Sequence, residues 1–457
     1  MAFSNIDNQQ LGKLLQIAFS EGVRSQISKD YRDWEFIKMN RVGDPKGREL
    51  RFQMQTSYGP SAIQYRSPNN VAAFPAAQKA SIGEKTAIYK EIDATIELEY
   101  NLWNRARKSK DVLYMEPLAL EIQSKTVAAK RRLAADLYGD GTGVIGTVSS
   151  AADTTGANGY VTVTLSSANA ARGHVGFFEF GDLLLNYNTD GTADGPTVSG
   201  GTFYAYRVKS RNRRANQVVL EPVDSSGSNL SLTSSSMDSG DVLYRVGQPT
   251  IPDLTGSISD YGSVTEVMAG LESLAANDGR TIWGITMSGA TAGSRFDAGD
   301  VQIDVSHLQA ALSETKTIVG QGAYAWKNAI MAPETLDAFI ESRETDRRFT
   351  TMEDAKRGTK AMGYQHGQDF LEFITSEYCP KKRIYMIPEA KNGEGKVLEY
   401  FGTDFEPVRV NNSDEFMLKP ASSGGHQRVI VSYLEALCSL VCKHPAAISV
   451  VENFNLA

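Results

Sequence analysis

The pattern of apolar and polar positions changes character several times along this 457-residue chain. Near the start, Leu11, Leu14, Leu15 and Ala18 recur on one helical face behind Asp7 and Gln10, which have the spacing of a capping box. The stretch that follows, through Val42-Gly43-Asp44-Pro45-Lys46-Gly47-Arg48, is charged and rich in turn formers. Residues 1–46 therefore read as an arm that packs on another part of an assembly.

Strict alternation then takes over. Leu50, Phe52 and Met54 face one way and Arg51, Gln53 and Gln55 the other, as in a half-exposed strand. Ile92, Ala94, Ile96 and Leu98 alternate in the same way with Glu91, Asp93, Thr95, Glu97 and Glu99. These two strands are expected to pair antiparallel, with Arg48 and Arg51 set against acidic partners. Between them, residues 56–85 are far too long for a hairpin turn, and Ile63, Tyr65, Val71 and Phe74 make them too apolar for a linker; Arg66, Lys79 and Lys85 lie in the same stretch. Two readings compete: a projecting loop that docks on a neighbouring surface, and a lid over an active site. The apolar content favours docking.

Next, Leu118, Ile122, Thr126, Ala129, Leu133 and Leu137 recur at helical spacing, which predicts a helix about 30 Å long. Its other face carries Glu121, Lys125, Lys130, Arg131 and Arg132, the basic residues near the end suiting the helix dipole. The octet GDGTGVIG, residues 139–146, follows and satisfies G-x-G-x-x-G. That pattern cradles a dinucleotide only when a strand leads into it and a helix opens out of it. Here a helix leads in, so Gly139 reads as a left-handed C-cap residue and Gly141, Gly143 and Gly146 as the hinge of a flexible exit loop.

Residues 151–249 are rich in Gly, Ser, Thr, Asn and Asp, with short runs such as YVTVTL, FYAYRV and QVVLEP. This is β-structure with long turns, a small barrel or sandwich. Gly181-Asp182-Leu183-Leu184 and Gly240-Asp241-Val242-Leu243 echo each other, each a turn entering a strand. Lys209, Arg211, Arg213 and Arg214 gather at a hairpin tip, either solvated or poised for electrostatic contact with phosphate or an acidic surface. The segment NTDGTADG, 188–195, matches a calcium loop only in part because the distal glutamate is missing, and reads as a turn.

From residue 250 helices and strands mix without βαβ spacing, which is α+β. Ser263 with Glu266 forms a capping box before Val267, Leu271 and Leu274, closed by residues 277–279; Ser306 with Gln309 opens a second helix, and Pro333 stands in the first turn of a third. RIYMIP and KVLEYF read as strands. In the last segment Ile430, Leu434, Ala436, Cys438, Leu440 and Cys442 share one face of a long strand that returns to an earlier domain.

Composition narrows the function. A net charge of −7 argues against coating nucleic acid through an overall positive field. No secretory signal and no membrane-length apolar run is visible, so a soluble protein made in a cytoplasm is expected. Cys379, Cys438 and Cys442 make no even disulfide framework and read as buried free thiols. The histidines at 174, 307, 366, 426 and 444 are scattered, the pair Cys442 and His444 lacks further ligands, and no metalloprotease, nucleophile-elbow or P-loop motif occurs. No catalytic residue, cofactor or metal is assigned.

In order, the arm, the long loop, the long helix ending in LYGDGTG, the α+β body and the final strand resemble the major capsid proteins of tailed double-stranded DNA bacteriophages. MAPETLDAFIESRETDRRF, GYQHGQDFLEFITSEYCPKKRIYMIPEA and ALCSLVCKHPAAISVVENF carry local likeness. The resemblance implies an N-terminal arm at 1–46, an E-loop at 47–100, the spine helix of a peripheral domain at 101–150, an axial domain at 250–405 and strands returning to the peripheral domain at 406–457. Residues 151–249 depart from the minimal pattern and read as an inserted β-rich subdomain.

The resemblance further implies hexamers and pentamers of an icosahedral head, assembled in a host cytoplasm around non-specifically contacted double-stranded DNA, with scaffolding, decoration and portal proteins as further partners. Ile63, Tyr65, Arg66, Val71, Phe74, Lys79 and Lys85 would then contact neighbouring subunits. Some relatives crosslink a loop lysine to an asparagine; Lys79 and Lys85, Asn453 and Asn455 are the residues here, and the expectation is no crosslink. Only a short arm precedes the loop, so no large leader is expected. Competing readings are an encapsulin-like nanocompartment and an enzyme of unrecognised type.

Overall fold

The computed structural model describes residues 36–41, 49–57, 81–99, 117–166, 174–188, 194–224, 227–245, 267–275, 281–282, 285–286, 293–320, 322, 324–342, 363–366, 369–391, 395–403, 406–407, 417–420 and 426–456. They fall into two compact units. One draws on Lys90–Ala269 and Gly402–Cys438, the other on Trp34–Tyr89, Gly270–Phe401 and Ser439–Ala457.

In the first unit the predicted helix runs over Pro117–Asp136. Its last turn holds no basic residue; it ends on Asp136, 3.9 Å from Arg132 one turn earlier. The chain then enters a closed barrel of six strands, Val144–Thr154, Tyr160–Leu165, Leu183–Tyr187, Ala205–Asn212, Gln217–Val223 and Val242–Arg245. Alternation is the reason it closes over a core: Val161, Val163 and Leu165 point inward while Thr162 and Thr164 do not. Between barrel and sandwich, the structure selects the barrel. It begins at Val144, earlier than the expected boundary at 151.

The barrel is internally twofold. Exchanging its first three strands for its last three leaves the order of neighbours unchanged. The echoing tetrads lie at equivalent places. Gly181 and Gly240 both have positive φ, +84° and +102°, the left-handed region where a Cβ is penalised. Gly181 N donates to Val208 O and Gly240 N to Val148 O, while Asp182 O accepts from Val208 N and Asp241 O from Val148 N. The strands that follow pair antiparallel, Leu184 opposite Arg245 and Asn186 opposite Leu243.

The expected pairing of residues 50–55 with 91–99 is not formed. Glu49–Ser57 pairs with Ser81–Ile88, Arg51 opposite Thr86, and Arg51 finds its carboxylate on its own strand, 3.5 Å away at Glu49. SIGEKTAI lacks apolar alternation, which hid it as a strand, yet it is the nearer partner and closes the smaller loop. Lys90–Glu99 instead pairs with the 17-residue strand His426–Cys442, Leu98 opposite Ile430 and Lys90 opposite Cys438. Cys379, Cys438 and Cys442 are free and buried, and burial pushes the Cys438 and Cys442 thiols up to about 12.

The second unit is built on a sheet in the order Ser294–Asp297, Ser449–Glu452, Arg383–Ala390, Tyr324–Met331, Asp369–Thr375, Gly363–His366. Ile303, Leu308, Leu312, Trp326, Phe339, Met386 and Phe454 fill its core. The helix Val305–Val319 is opened by Asp304 and His307, which cap each other's backbone, and not by Ser306 and Gln309. A histidine at the third position escapes the usual Glu/Gln pattern. Pro333 opens Pro333–Ser342 as expected. The helix expected around Val267 begins only at Leu271 and ends at Leu274, while Ser263, Glu266 and residues 277–279 lie outside the described residues.

The segment 406–457 was expected to return as one piece. Contacts divide it: residues 402–438 cluster with the barrel-bearing unit, and Ser449–Glu452 sits inside the sheet of the second. There Arg295 and Arg383 face Glu272 and Glu452, with Arg295 2.6 Å from Glu272 and the Tyr385 hydroxyl donating to Glu272 at 2.8 Å. Two cations against two anions make this buried network self-compensating.

Candidate assembly site

Three elements carry the residues singled out in the sequence: two expected to meet other molecules and one expected to act as a hinge. The first is the two-stranded ribbon of Glu49–Ser57 and Ser81–Ile88, which joins no other sheet among the described residues. Ile88 at its base is 58% exposed, and Lys85 lies opposite Phe52. Ile63, Tyr65, Arg66, Val71, Phe74 and Lys79 lie outside the described residues. Asn453 and Asn455, considered for crosslinking, use their amides within the chain, on Asp297 Oδ1 and Asp300 O respectively.

The second element is the glycine octet. Gly139 does not adopt positive φ; its N–H donates to Asp136 O at 3.0 Å, and the left-handed residues are Gly141 and Gly143, at +80° and +81°. Asp140 Oδ1 accepts from Thr142 N and Thr142 Oγ1, so the side chain fixes the turn. Gly146 lies in the first barrel strand and not in a loop. The small recess beside Asp136, Gly139, Gly141, Gly143 and Met268 sits at a helix C-terminus. Carbonyls and the Asp136 carboxylate present negative charge there, which opposes a phosphate. Burial raises the Asp136 pKa, an effect that Arg132 and Arg245 counter.

The third element is the basic hairpin. It forms as expected, Ala205–Asn212 pairing with Gln217–Val223. Lys209 and Arg211 are engaged within the chain. Lys209 lies 3.6 Å from Glu221 and 5.4 Å from the Tyr160 ring centroid. Arg211 donates to Phe178 O at 2.6 Å and lies 3.8 Å from Glu179. Arg213 and Arg214 occupy the turn itself, Arg214 exposed.

One grouping escaped the sequence reading. Asp241, on the second tetrad, lies beside Asn186 and Asn188, and Asp194 joins them from the end of NTDGTADG. The signal was present only as a fragment, because its members are separated along the chain.

No protein-family model matches the sequence, and no curated protein matches it. Solved structures do. The cyanophage A-1(L) capsid asymmetric unit is similar at a TM-score of 0.50 and 10% identity, over 98% of this chain and 99% of that one. The capsid of a native GTA particle is similar at 0.46 and 11%, covering 97% of each chain. The holo-SrpI encapsulin complex from Synechococcus elongatus PCC 7942 follows at 0.42 and 7%, over 98% of this chain and 95% of that one. The first of these is the likeness that counts: the chain has a phage-capsid fold of mixed helix and sheet along essentially its whole length.

Proposed function

We propose that the protein is the major capsid protein of a tailed double-stranded DNA phage, a structural protein and not an enzyme, forming hexamers and pentamers of an icosahedral head. The observation that carries this reading is the whole-length likeness to the cyanophage capsid subunit. The ribbon, which joins no other sheet among the described residues, supports it, because a two-stranded ribbon is at best marginally stable in water and gains from a neighbouring surface. In this reading Ile63, Tyr65, Arg66, Val71, Phe74, Lys79 and Lys85 contact adjacent subunits, and shell stability comes from modest contacts multiplied over many copies.

The domain reading follows: an arm, an E-loop at the ribbon, a spine helix at Pro117–Asp136 and the barrel as an inserted subdomain. Arg214, exposed in the hairpin turn, is the cation assigned to contact with DNA or another acidic surface. Scaffolding, decoration and portal proteins would be further partners, and the location the virion after assembly in a host cytoplasm. No helix among the described residues is long and apolar enough to cross a membrane.

Electron microscopy of the purified chain tests this. Closed shells or capsomers are expected, and a variant with residues 58–80 replaced by a short turn should fold yet assemble poorly. A strictly monomeric wild type at high concentration overturns the proposal, and normal shells from the variant overturn the ribbon's role. Native particles filled with cargo protein and free of DNA would instead select the nanocompartment.

A further inference from the structure

The two turns of the barrel differ in one electrostatic respect. In each, the aspartate accepts from the backbone N–H three residues earlier, Glu179 N to Asp182 Oδ2 at 3.0 Å and Asp238 N to Asp241 Oδ2 at 2.9 Å. In each, the residue four positions beyond the other aspartate reaches across. For Asp182 that residue is Arg245, 3.0 Å away and a full positive charge. For Asp241 it is Asn186, whose Nδ2 donates at 3.0 Å and brings no charge.

Asp241 is only 3% exposed, and no Lys or Arg of the described residues pairs with it or with Asp194. A buried carboxylate is expected to be paired with a cation or to coordinate a metal. Instead, more oxygen gathers. Asp194 is tied to the strand by its N–H on Asn186 O at 3.0 Å, and the Asn188 amide stands 3.2 Å from Asp194 Oδ2 and 3.3 Å from Asp241 Oδ1. Asn186, 1% exposed, spends its nitrogen on Asp241 and leaves its buried oxygen without a hydrogen-bond partner. Burial raises the Asp194 pKa, a hydrogen bond from Ser236 counters it, and the nearby Asp241 and Asp238 add to the rise.

We propose that Asp194, Asp241 and the Asn188 side-chain oxygen, backed by Asn186, bind a calcium ion. Among the described residues no three His, Cys, Asp or Glu side chains converge, so the site rests on two carboxylates plus amide oxygen. An oxygen-only donor set excludes the softer metals, and ligands from a loop and from just beyond two strand ends suit calcium's adaptable shell better than the strict octahedron of magnesium. The distal acid that NTDGTADG lacks in sequence comes from Asp241. The inference is independent of whether the chain builds a shell.

The alternative arrangement turns the Asn188 nitrogen to both carboxylates and its oxygen to donors, and needs no ion. Tyrosine-sensitised terbium luminescence on the EDTA-treated full chain, with competition by calcium and by magnesium and calorimetry for stoichiometry, separates the two. One ion per chain is expected, with a dissociation constant of about 10⁻⁴ to 10⁻³ M for calcium and weaker binding of magnesium. Asp194→Asn should weaken calcium at least about tenfold, and Asn188→Asp should tighten it. Asp194 is partly exposed, so its variant tests the site even if Asp241→Asn does not fold. No ion uptake, or uptake unchanged in Asp194→Asn, overturns the proposal.

Discussion

The two halves of the barrel share a backbone plan and differ in what fills it. The Gly181-Asp182 turn is closed by an arginine and the Gly240-Asp241 turn by an asparagine, although both aspartates make the same backbone contacts. Packing differs in the same way. Gly146 stands opposite Leu243 where the other half has Tyr206 opposite Leu184. The Tyr206 ring is buried, with its hydroxyl donating to Ser235 O at 2.8 Å. At Gly146 the space belongs to Phe178 and Leu165, whose atoms would lie 2.8 Å and 3.0 Å from an added Cβ. Backbone hydrogen bonds can thus keep a symmetry that side chains have abandoned, because the ladder depends on chain geometry and the core on volume and charge.

The charge difference gives the largest expected effect. Asp182→Asn leaves Arg245 buried without its carboxylate and should destabilise the barrel by about 3 kcal/mol in denaturant unfolding. Asp241→Asn in calcium-free buffer removes a charge that no Lys or Arg of the described residues neutralises and should change stability by less than about 1 kcal/mol. Equal losses from the two substitutions would break the contrast.

The packing difference comes next. Gly146→Ala must displace Phe178 and should cost about 2 kcal/mol by thermal unfolding. Gly181→Ala meets no atom within 4 Å and should cost about 1 kcal/mol, from its φ of +84° alone. If Gly181→Ala proves the worse of the two, crowding is not what holds Gly146.

Smallest is the pH effect. Because the Asp194 pKa is raised in the fold, the calcium-free native state takes up this proton more readily than the unfolded chain. As pH falls through the window just above the ordinary value of 3.8, wild type should gain stability relative to Asp194→Asn. With calcium the sign reverses, since protons displace the ion and its stabilisation fades over the same window. Melting temperatures of both proteins across that window, with and without calcium, check both signs.

Much of this was legible along the chain. Twenty residues of apolar spacing predicted the helix that is observed, YVTVTL gave an alternating strand, and Pro333 marked a helix start. Local rules suffice there because the signal and the hydrogen bonds it predicts lie within a few residues. Other features were visible but misassigned. The octet does follow a helix, yet Gly139 is not left-handed and Gly146 is already strand, because strand identity depends on a partner that the local sequence does not name.

The sequence by itself determined the long helix, the alternating strands, the echo of the two tetrads and the excess of acid over base. Only the tertiary structure decided that SIGEKTAI takes the partner expected for residues 91–99, that the tail divides between two units, and that the echo marks a twofold barrel. It alone brought Asp241 to Asn188 and Asp194. Periodicity and capping act over one or two turns, whereas strand partners and uncompensated charges depend on which distant residues the folded chain places side by side.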